Sequence, residues 1–283
     1  GKWEKPVLVS SEATPDATTG TVTETDDGVC GFSPDGKIMY FTRAFKKDGS
    51  DLGAGIYYSN RTGGAWSEPK LIPIFQDSTI TVAHPAIAPD GETLYFVSDN
   101  KTGFGGKDLW KAKLVNGECK DVENMGNQIN TPGDEMFPTV RFDGTLYFSS
   151  NGHPGMGGLD IFKATPIGKE WLVENMGIPV NSSADDFGMT FEGKKEKGFF
   201  SSNRGETKGY DALWSFERPV LEYIVEGKVI DEKSNPIPDA YVKLVSNNGI
   251  NTKVATKKDG SYRIKIDKNI ECIMLATARG YLN

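Results

Sequence analysis

The sequence predicts an all-β chain in two parts, a repeat array over residues 1–218 followed by a small sandwich over 219–283. Three observations support this. An acidic turn residue followed by Gly and then an aromatic run recurs at Asp35, Asp90, Asp143 and Glu192, with spacings of 55, 53 and 49 residues. The 283 residues hold 33 Gly and 15 Pro with 11% aromatics, which suits many short strands joined by turns, and no long stretch has helical periodicity. At Arg218-Pro219 the repeat register stops and a differently patterned segment begins.

The repeat is clearest at Phe142-Asp143-Gly144-Thr145-Leu146-Tyr147-Phe148-Ser149-Ser150-Asn151. Asp-Gly supplies a tight bend, because Gly accepts positive φ and Asp can bond its own backbone. Leu146–Phe148 suits a strand packed on both faces. Copies stand at Pro34-Asp35-Gly36 with Ile38–Phe41 and at Pro89-Asp90-Gly91 with Leu94–Val97, and a worn copy at Phe191-Glu192-Gly193 resumes at Phe199-Phe200. These apolar runs are the expected cores.

A second landmark is Gly105-Gly106-Lys107-Asp108-Leu109-Trp110, echoed by Gly157-Gly158-Leu159-Asp160-Ile161-Phe162. Weaker echoes run through Gly55-Ile56-Tyr57, where Gly55 replaces the Asp, and through Asp211-Ala212-Leu213-Trp214. A third is the closing strand, as in Gly64-Ala65-Trp66-Ser67-Glu68-Pro69-Lys70-Leu71, with Val-Glu-Asn-Met-Gly at 122–126 and again at 173–177. Each unit therefore reads as four antiparallel strands, the pattern of a β-propeller blade. The fourth unit lacks its closing strand, and residues 1–8, Gly-Lys-Trp-Glu-Lys-Pro-Val-Leu, match that strand. The expectation is a propeller of four sequence repeats whose N-terminal strand, Trp3–Leu8, closes the last blade, since an open edge leaves backbone groups unpaired.

Residues 219–283 alternate at Tyr241/Lys243 and from Tyr262 to Ile266 and carry an Asp259-Gly260 hairpin signal. About six short strands are expected there, forming a small, transthyretin-like β-sandwich.

No run of 18 apolar residues appears, and the first residues show no signal peptide. Cys30, Cys119 and Cys272 make no disulfide framework and are expected to be buried, inert thiols. Residues 219–283 carry ten Lys/Arg and eight Asp/Glu, so the net charge of −7 resolves into +2 there and −9 on the first 218. An acidic first part argues against nucleic-acid binding.

Asp108 and Asp160 are expected to accept hydrogen bonds from turn amides rather than to hold metal. His84 and His153 stand in no His/Cys cluster of zinc spacing. The Gly-rich loops 101–106 and 151–158 lack a Gly-Lys-Ser/Thr ending and open onto strands, so they are not phosphate cradles. Met125 and Met176 read as packing residues. No residue is assigned to catalysis, to a metal or to a cofactor. The loops between the second and third strands, bearing Phe104, His153, Met156 and Arg204, are the candidate partner contacts.

The three-part repeat resembles the WD-like repeat with a Pro-Asp-Gly turn of TolB-type propellers in OmpA-family proteins of Bacteroidetes. The match covers residues 1–218. The last segment resembles the carboxypeptidase regulatory-like domain through Gly227, Val229, Asp231, Pro236-Ile237, Ala240, Val242, Leu244, Asp259-Gly260, Tyr262 and Gly280-Tyr281. The resemblance implies a non-enzymatic periplasmic scaffold associated with the outer membrane, with other cell-envelope or type IX secretion system proteins as partners. It places any peptidoglycan binding in an OmpA-like domain outside these residues. A glycan- or peptide-binding module using the propeller's central channel is the alternative.

Overall fold

The computed structural model describes residues 24–47, 50–115, 117–205, 210–219, 223–247, 249, 251–266 and 271–281. The chain divides into two compact units, Gly1–Arg218 and Pro219–Asn283. The segment Trp3–Leu8, expected to close the last blade, lies outside the described residues.

The first unit is a succession of antiparallel sheets. The first comprises β1 (Glu24–Phe32), β2 (Ile38–Lys47) and β3 (Ser50–Thr62), with the short β4 (Ala65–Trp66) and β5 (Lys70–Leu71) on β3. The second is β6 (Val82–Ile87), β7 (Thr93–Ser98), β8 (Asp108–Val115) and β9 (Glu118–Asn124). The third is β10 (Glu135–Val140), β11 (Leu146–Ser150), β12 (Asp160–Ile167) and β13 (Glu170–Asn175). The fourth is β14 (Asp186–Phe191), β15 (Lys197–Ser202) and β16 (Ala212–Glu217). Strand neighbours in each sheet follow chain order, and β6, β10 and β14 each pack across the sheet before them.

The Asp-Gly turns form as the sequence predicts. Gly36, Gly91 and Gly144 have φ of 68°, 73° and 82°, values an L side chain rarely adopts. Asp35, Asp90 and Asp143 each accept the amide two residues on, at 3.1, 2.8 and 3.0 Å, closing Asx turns. In the worn copy, Glu192 instead pairs with Lys195 and, at 2.8 Å, with Lys197. Those lysines hold its carboxyl down at about 2.

The middle strands carry the core. Leu94, Phe96 and Trp110 join Tyr40, Ile56, Ile72 and Val82 between the first and second sheets. Leu146, Phe148 and Phe162 join Val97, Leu109, Met125 and Ile129 between the second and third. Tyr147 and Ile161 join Val180, Met189 and Phe200 between the third and fourth. Period-2 alternation thus sends one face of each sheet forward and one back, and burying each such side chain contributes about 1.5–3 kcal/mol. Met125 lies in this core and Met176 packs against it.

Phe199 departs from the expectation of a core residue. It is 36% exposed, and Leu213 beside it is 60% exposed, although their counterparts Tyr147 and Ile161 are buried. Both lie on one face of β15 and β16, the last sheet described in the first unit.

The first strands share a β-bulge. The register slips between Ala83 and Ala86, between Met136 and Thr139, and between Phe187 and Thr190. At the same bulge position stand His84 (φ 51°), Phe137 (φ 54°) and Gly188 (φ 66°).

The second unit has five described strands: β17 (Tyr223–Lys228), β18 (Tyr241–Ser246), β19 (Asn251–Ala255), β20 (Ser261–Ile266) and β21 (Cys272–Thr277). β17 pairs with β20, and β18 lies between β19 and β21. Val242 and Leu244 of one sheet share a cluster with Ile264 of the other. Tyr241, Lys243 and Val245 face out, as the alternation predicts.

The cysteine expectation is corrected. Cys30 and Cys272 are exposed, and only Cys119 is half-buried, its thiol pushed up to about 11 by burial. Cys30 follows the bulge of β1 at Gly28/Cys30, and Cys272 is the first residue of β21, paired with Ser246 at the end of β18.

Candidate functional site

The candidate site is the pair of loops that link the second and third strands of the second and third sheets. Each reads Gly-x-Gly-Gly-x-Asp, and the Asp organises it. Asp108 is 1% exposed and accepts the amides of Phe104 (2.5 Å) and Gly105 (3.1 Å) and the side-chain amide of Asn124 (2.9 Å). Asp160, equally buried, accepts the amides of Met156 (2.6 Å) and Gly157 (3.1 Å). Asp108 is thereby satisfied on both oxygens, whereas Asp160 takes its two amides on Oδ2 and its buried Oδ1 has no hydrogen-bond partner among the described residues; in each case the amide partners hold the loop in one shape. The two aspartates are architectural acceptors, as the sequence suggests.

The glycines are required by close approach. A Cβ on Gly103 would stand 1.8 Å from Asp108 Oδ2, and one on Gly155 would stand 1.9 Å from Asp160 Oδ2. A Cβ on Gly105 would stand 2.3 Å from the carbonyls of Thr131 and Gly133, and one on Gly157 would stand 2.0 Å from that of Ala184. The loops are therefore pressed against the start of the next sheet.

That junction is keyed by polar groups in the same way twice. Asn130, 2% exposed, bonds both the amide (2.8 Å) and the carbonyl (2.9 Å) of Leu109 and donates to Asn124 (2.8 Å). Asn181 does the same with Ile161 (2.8 Å to each group) and Asn175 (2.9 Å). Lys107 and Leu159 donate their amides to Asp134 (2.9 Å) and Asp185 (2.8 Å). Glu135 and Asp186, both fully buried, sit at one position of the repeat. Glu135 accepts Thr131 Oγ1 and Ser150 Oγ, each at 2.6 Å, while burial pushes its carboxyl above the usual range.

The four predicted contact residues separate into two kinds. Phe104 and Met156 occupy the same place in the two loops and are 51% and 42% exposed. His153 and Arg204 are turned inward. His153 Nε2 stands 2.8 Å from the Ile129 carbonyl, which places the proton on Nε2, and its ring lies 5.0 Å from that of Phe162. Arg204 reaches the equivalent carbonyl of Val180, the Pro179 carbonyl (2.7 Å) and the buried carboxylate of Asp186, with its guanidinium over Phe200 and Trp214. The structure thus brings Phe104 and Met156 to matching exposed positions and commits His153 and Arg204 to holding successive sheets together.

A feature not singled out from sequence lies at the first strands. The ring of His84 stacks on Phe137 at 4.2 Å and 19°, and Phe137 meets Phe187 at 4.8 Å. His84 Nδ1 accepts the Phe137 amide at 3.3 Å. Burial, reinforced by Lys107, lowers the imidazole pKa to about 4, so it is neutral near pH 7. Two bulky residues at φ near 50° mark a strained position. The available signal was His84-Pro85 and Phe137-Pro138, the same dipeptide frame 53 residues apart.

Among the described residues no group of three or more His, Cys, Asp or Glu is placed to hold a metal ion. No protein-family model and no curated protein sequence matches the chain. Solved structures give slight likenesses. A puromycin-hydrolysing peptidase of Mycobacterium tuberculosis shows 14% identity and a TM-score of 0.39, over 75% of this chain and 33% of its own. A puromycin hydrolase gives 13% and 0.42, over 81% and 33%. An α-L-arabinofuranosidase from Lactobacillus brevis gives 10% and 0.39, over 71% and 72%. The chain spans about a third of the length of the two peptidases. Likeness at this level assigns this chain neither a fold nor a chemistry.

Proposed function

We propose that the chain is a non-enzymatic scaffold that docks protein partners through the loop face of its first unit. The observation that carries this is the pair Phe104 and Met156. Two apolar side chains stand exposed at matching positions on loops that buried aspartates hold rigid. Rigid presentation lowers the ordering cost of binding, and exposed aromatic and Met side chains suit protein interfaces. The carboxylates nearest these loops, Asp108, Asp134, Asp160 and Asp185, are occupied within the fold, which leaves apolar contact, beside the exposed Lys101, as the chemistry on offer.

In the fuller form of this proposal the first unit is a four-bladed propeller and the second a carboxypeptidase regulatory-like sandwich. Trp3–Leu8 completes the fourth sheet. Its sequence matches Trp66–Leu71, and there Trp66 pairs with Arg61 and Leu71 with Tyr57. Transferring that register puts Trp3 opposite Arg218 and Leu8 opposite Trp214. A Val7→Cys, Ser215→Cys pair should then form a mapped disulfide on mild oxidation, and failure to form one removes the clasp.

The module order resembles that of PorE, which leads us to place the protein in the periplasm, associated with the outer membrane and the type IX secretion system. Its partners would be other cell-envelope proteins, with peptidoglycan reached only through another domain and no nucleic acid bound. The test is capture from an outer-membrane fraction by the full chain and by a Phe104→Ser, Met156→Ser variant. The proposal expects a discrete set of partners that the variant loses. Equal capture, or turnover of peptide or glycoside substrates by the full chain, would contradict it.

The His84–Phe137–Phe187 stack favours a second possibility, a glycan or peptide bound along the first strands. A thermal shift with muropeptides that disappears in Phe137→Ala would support it.

A further inference from the structure

We infer that the junction between the first and second sheets is a binding site for a short peptide segment carrying one large apolar side chain and one basic side chain. A cleft of about 340 Å³ lies there, walled by Ile56, Ile74, Phe75, Ile80 and Val82, with Gly53–Gly55 on one side and Asp77 at its rim. That volume is at the small end of ligand-sized clefts.

The comparison within the chain explains why it is open. Register aligns Gly55 with Asp108 and Asp160, since each pairs with the last position of the preceding strand's run. Leu71 stands where Asn124 and Asn175 stand, and Val82 where Glu135 and Asp186 stand. The segment from Leu71 to Val82 is as long as that from Asn124 to Glu135, so Asp77 falls at the place of Asn130 and Asn181. At the other junctions the space between these walls is filled by the Gly-x-Gly-Gly loop, whose amides bond the Asp carboxylate. In the first sheet β2 and β3 stay paired out to Lys47 and Ser50, so the connection leaves as a ribbon and does not fold back.

The site therefore keeps the shape that a stretch of backbone occupies elsewhere in the same fold. Its walls have become apolar, which calls for an apolar side chain. The carboxylate has moved from the Asp108 wall to the facing one. Asp77 Oδ1 is held by the amide (2.9 Å) and hydroxyl (2.7 Å) of Thr79, and these bonds lower its pKa and keep it ionised. Its second oxygen is placed for an ammonium or amide donor. This inference does not depend on the docking role of Phe104 and Met156, and neither residue of the chain is substituted to test it.

The chain's own loop supplies the probe. Acetyl-Gly-Phe-Gly-Gly-Lys-amide, the sequence of residues 103–107, is titrated calorimetrically into the full chain. The inference expects saturable one-to-one binding, and binding about tenfold weaker when Phe is replaced by Ala, the effect of losing one buried aromatic side chain. Ile80→Arg, which puts a charge across the cleft, should abolish binding. Asp77→Asn, a rim change that leaves the core untouched, should weaken it about threefold at low salt. No saturation with the wild-type chain, or undiminished binding by both variants, would overturn the inference. So would saturable binding of p-cresol with none of the peptide, because the cleft would then take a small apolar molecule and not a chain.

Discussion

Two junctions in the first unit differ in how their sheets are joined. Between the second and third sheets, Asn130 ties the segment before β10 to β8 with two hydrogen bonds and to β9 with a third, and Asp134 adds one from the Lys107 amide. Between the first and second, the same places hold Asp77, Val82 and Thr81, and the core contact is apolar, with Phe75 edge-on to Phe96 and Trp110, while the His84 amide donates across it to Thr42 Oγ1 at 2.8 Å. A buried polar key fixes one arrangement, because any other leaves donors unsatisfied. An apolar seam stabilises comparably but specifies less, and here it leaves room for a ligand. The repeat is thus keyed by polar groups in two copies, while the first copy lacks both those groups and the folded-back loop that fills the same space in the other two.

The largest expected effect tests the shared core and not the difference. Phe148→Ala empties a site that is 1% exposed, and it should cost about 3–5 kcal/mol in chemical denaturation. An unchanged midpoint would mean that the sheets do not pack as described.

The next effect separates the junctions. Asn130→Ala strands the amide and carbonyl of Leu109 and should cost about 2–4 kcal/mol. Asp77→Ala, at the same repeat position, removes only the two exposed turn bonds from Thr79 and should cost under about 1 kcal/mol. Equal costs would erase the distinction.

His84 offers a pH-dependent version. Its pKa is lowered from 6.5 in the unfolded chain to about 4 in the fold. The unfolded state therefore binds the proton more readily between these values. The contribution of neutral His84 is complete above pH 6.5 and is lost as pH falls toward 4, by about 3 kcal/mol in all. His84→Phe should flatten that part of the stability profile. A wild-type profile that is already flat from 6.5 to 4 would show that the ring is not held neutral. The smallest effect on stability belongs to the exposed loop positions: Phe104→Ser and Met156→Ser should each stay within about 0.5 kcal/mol of wild type while altering capture.

The parts legible in the sequence were those fixed by local chemistry. Asp-Gly bends at 35, 90 and 143 need only their own backbone, and the Leu-Tyr-Phe runs alternate within a single strand, so both could be read from consecutive residues. The keys were not legible in the same way. Asn130 and Asn181 act on a strand some twenty residues away, and Glu135 and Asp186 gain their meaning from burial and from bonds to Ser150 and Arg204, 15 and 18 residues on. Asn-Met-Gly followed by Ile or Val and Asn, at 124–130 and 175–181, was the visible trace. The inward turn of His153 and Arg204 was hidden for the same reason, since each answers a carbonyl contributed by residues 129 and 180 of a neighbouring segment.

The contrast between junctions is tested most directly by residue-resolved native-state hydrogen exchange on the full chain. The amides of Leu109 and Ile161, each bonded to an Asn side chain, should exchange only through global unfolding, while those of Gly53–Gly55 beside the cleft should open at a distinctly lower free energy. Equal protection at the two junctions, or faster exchange at Leu109 and Ile161, would contradict the account.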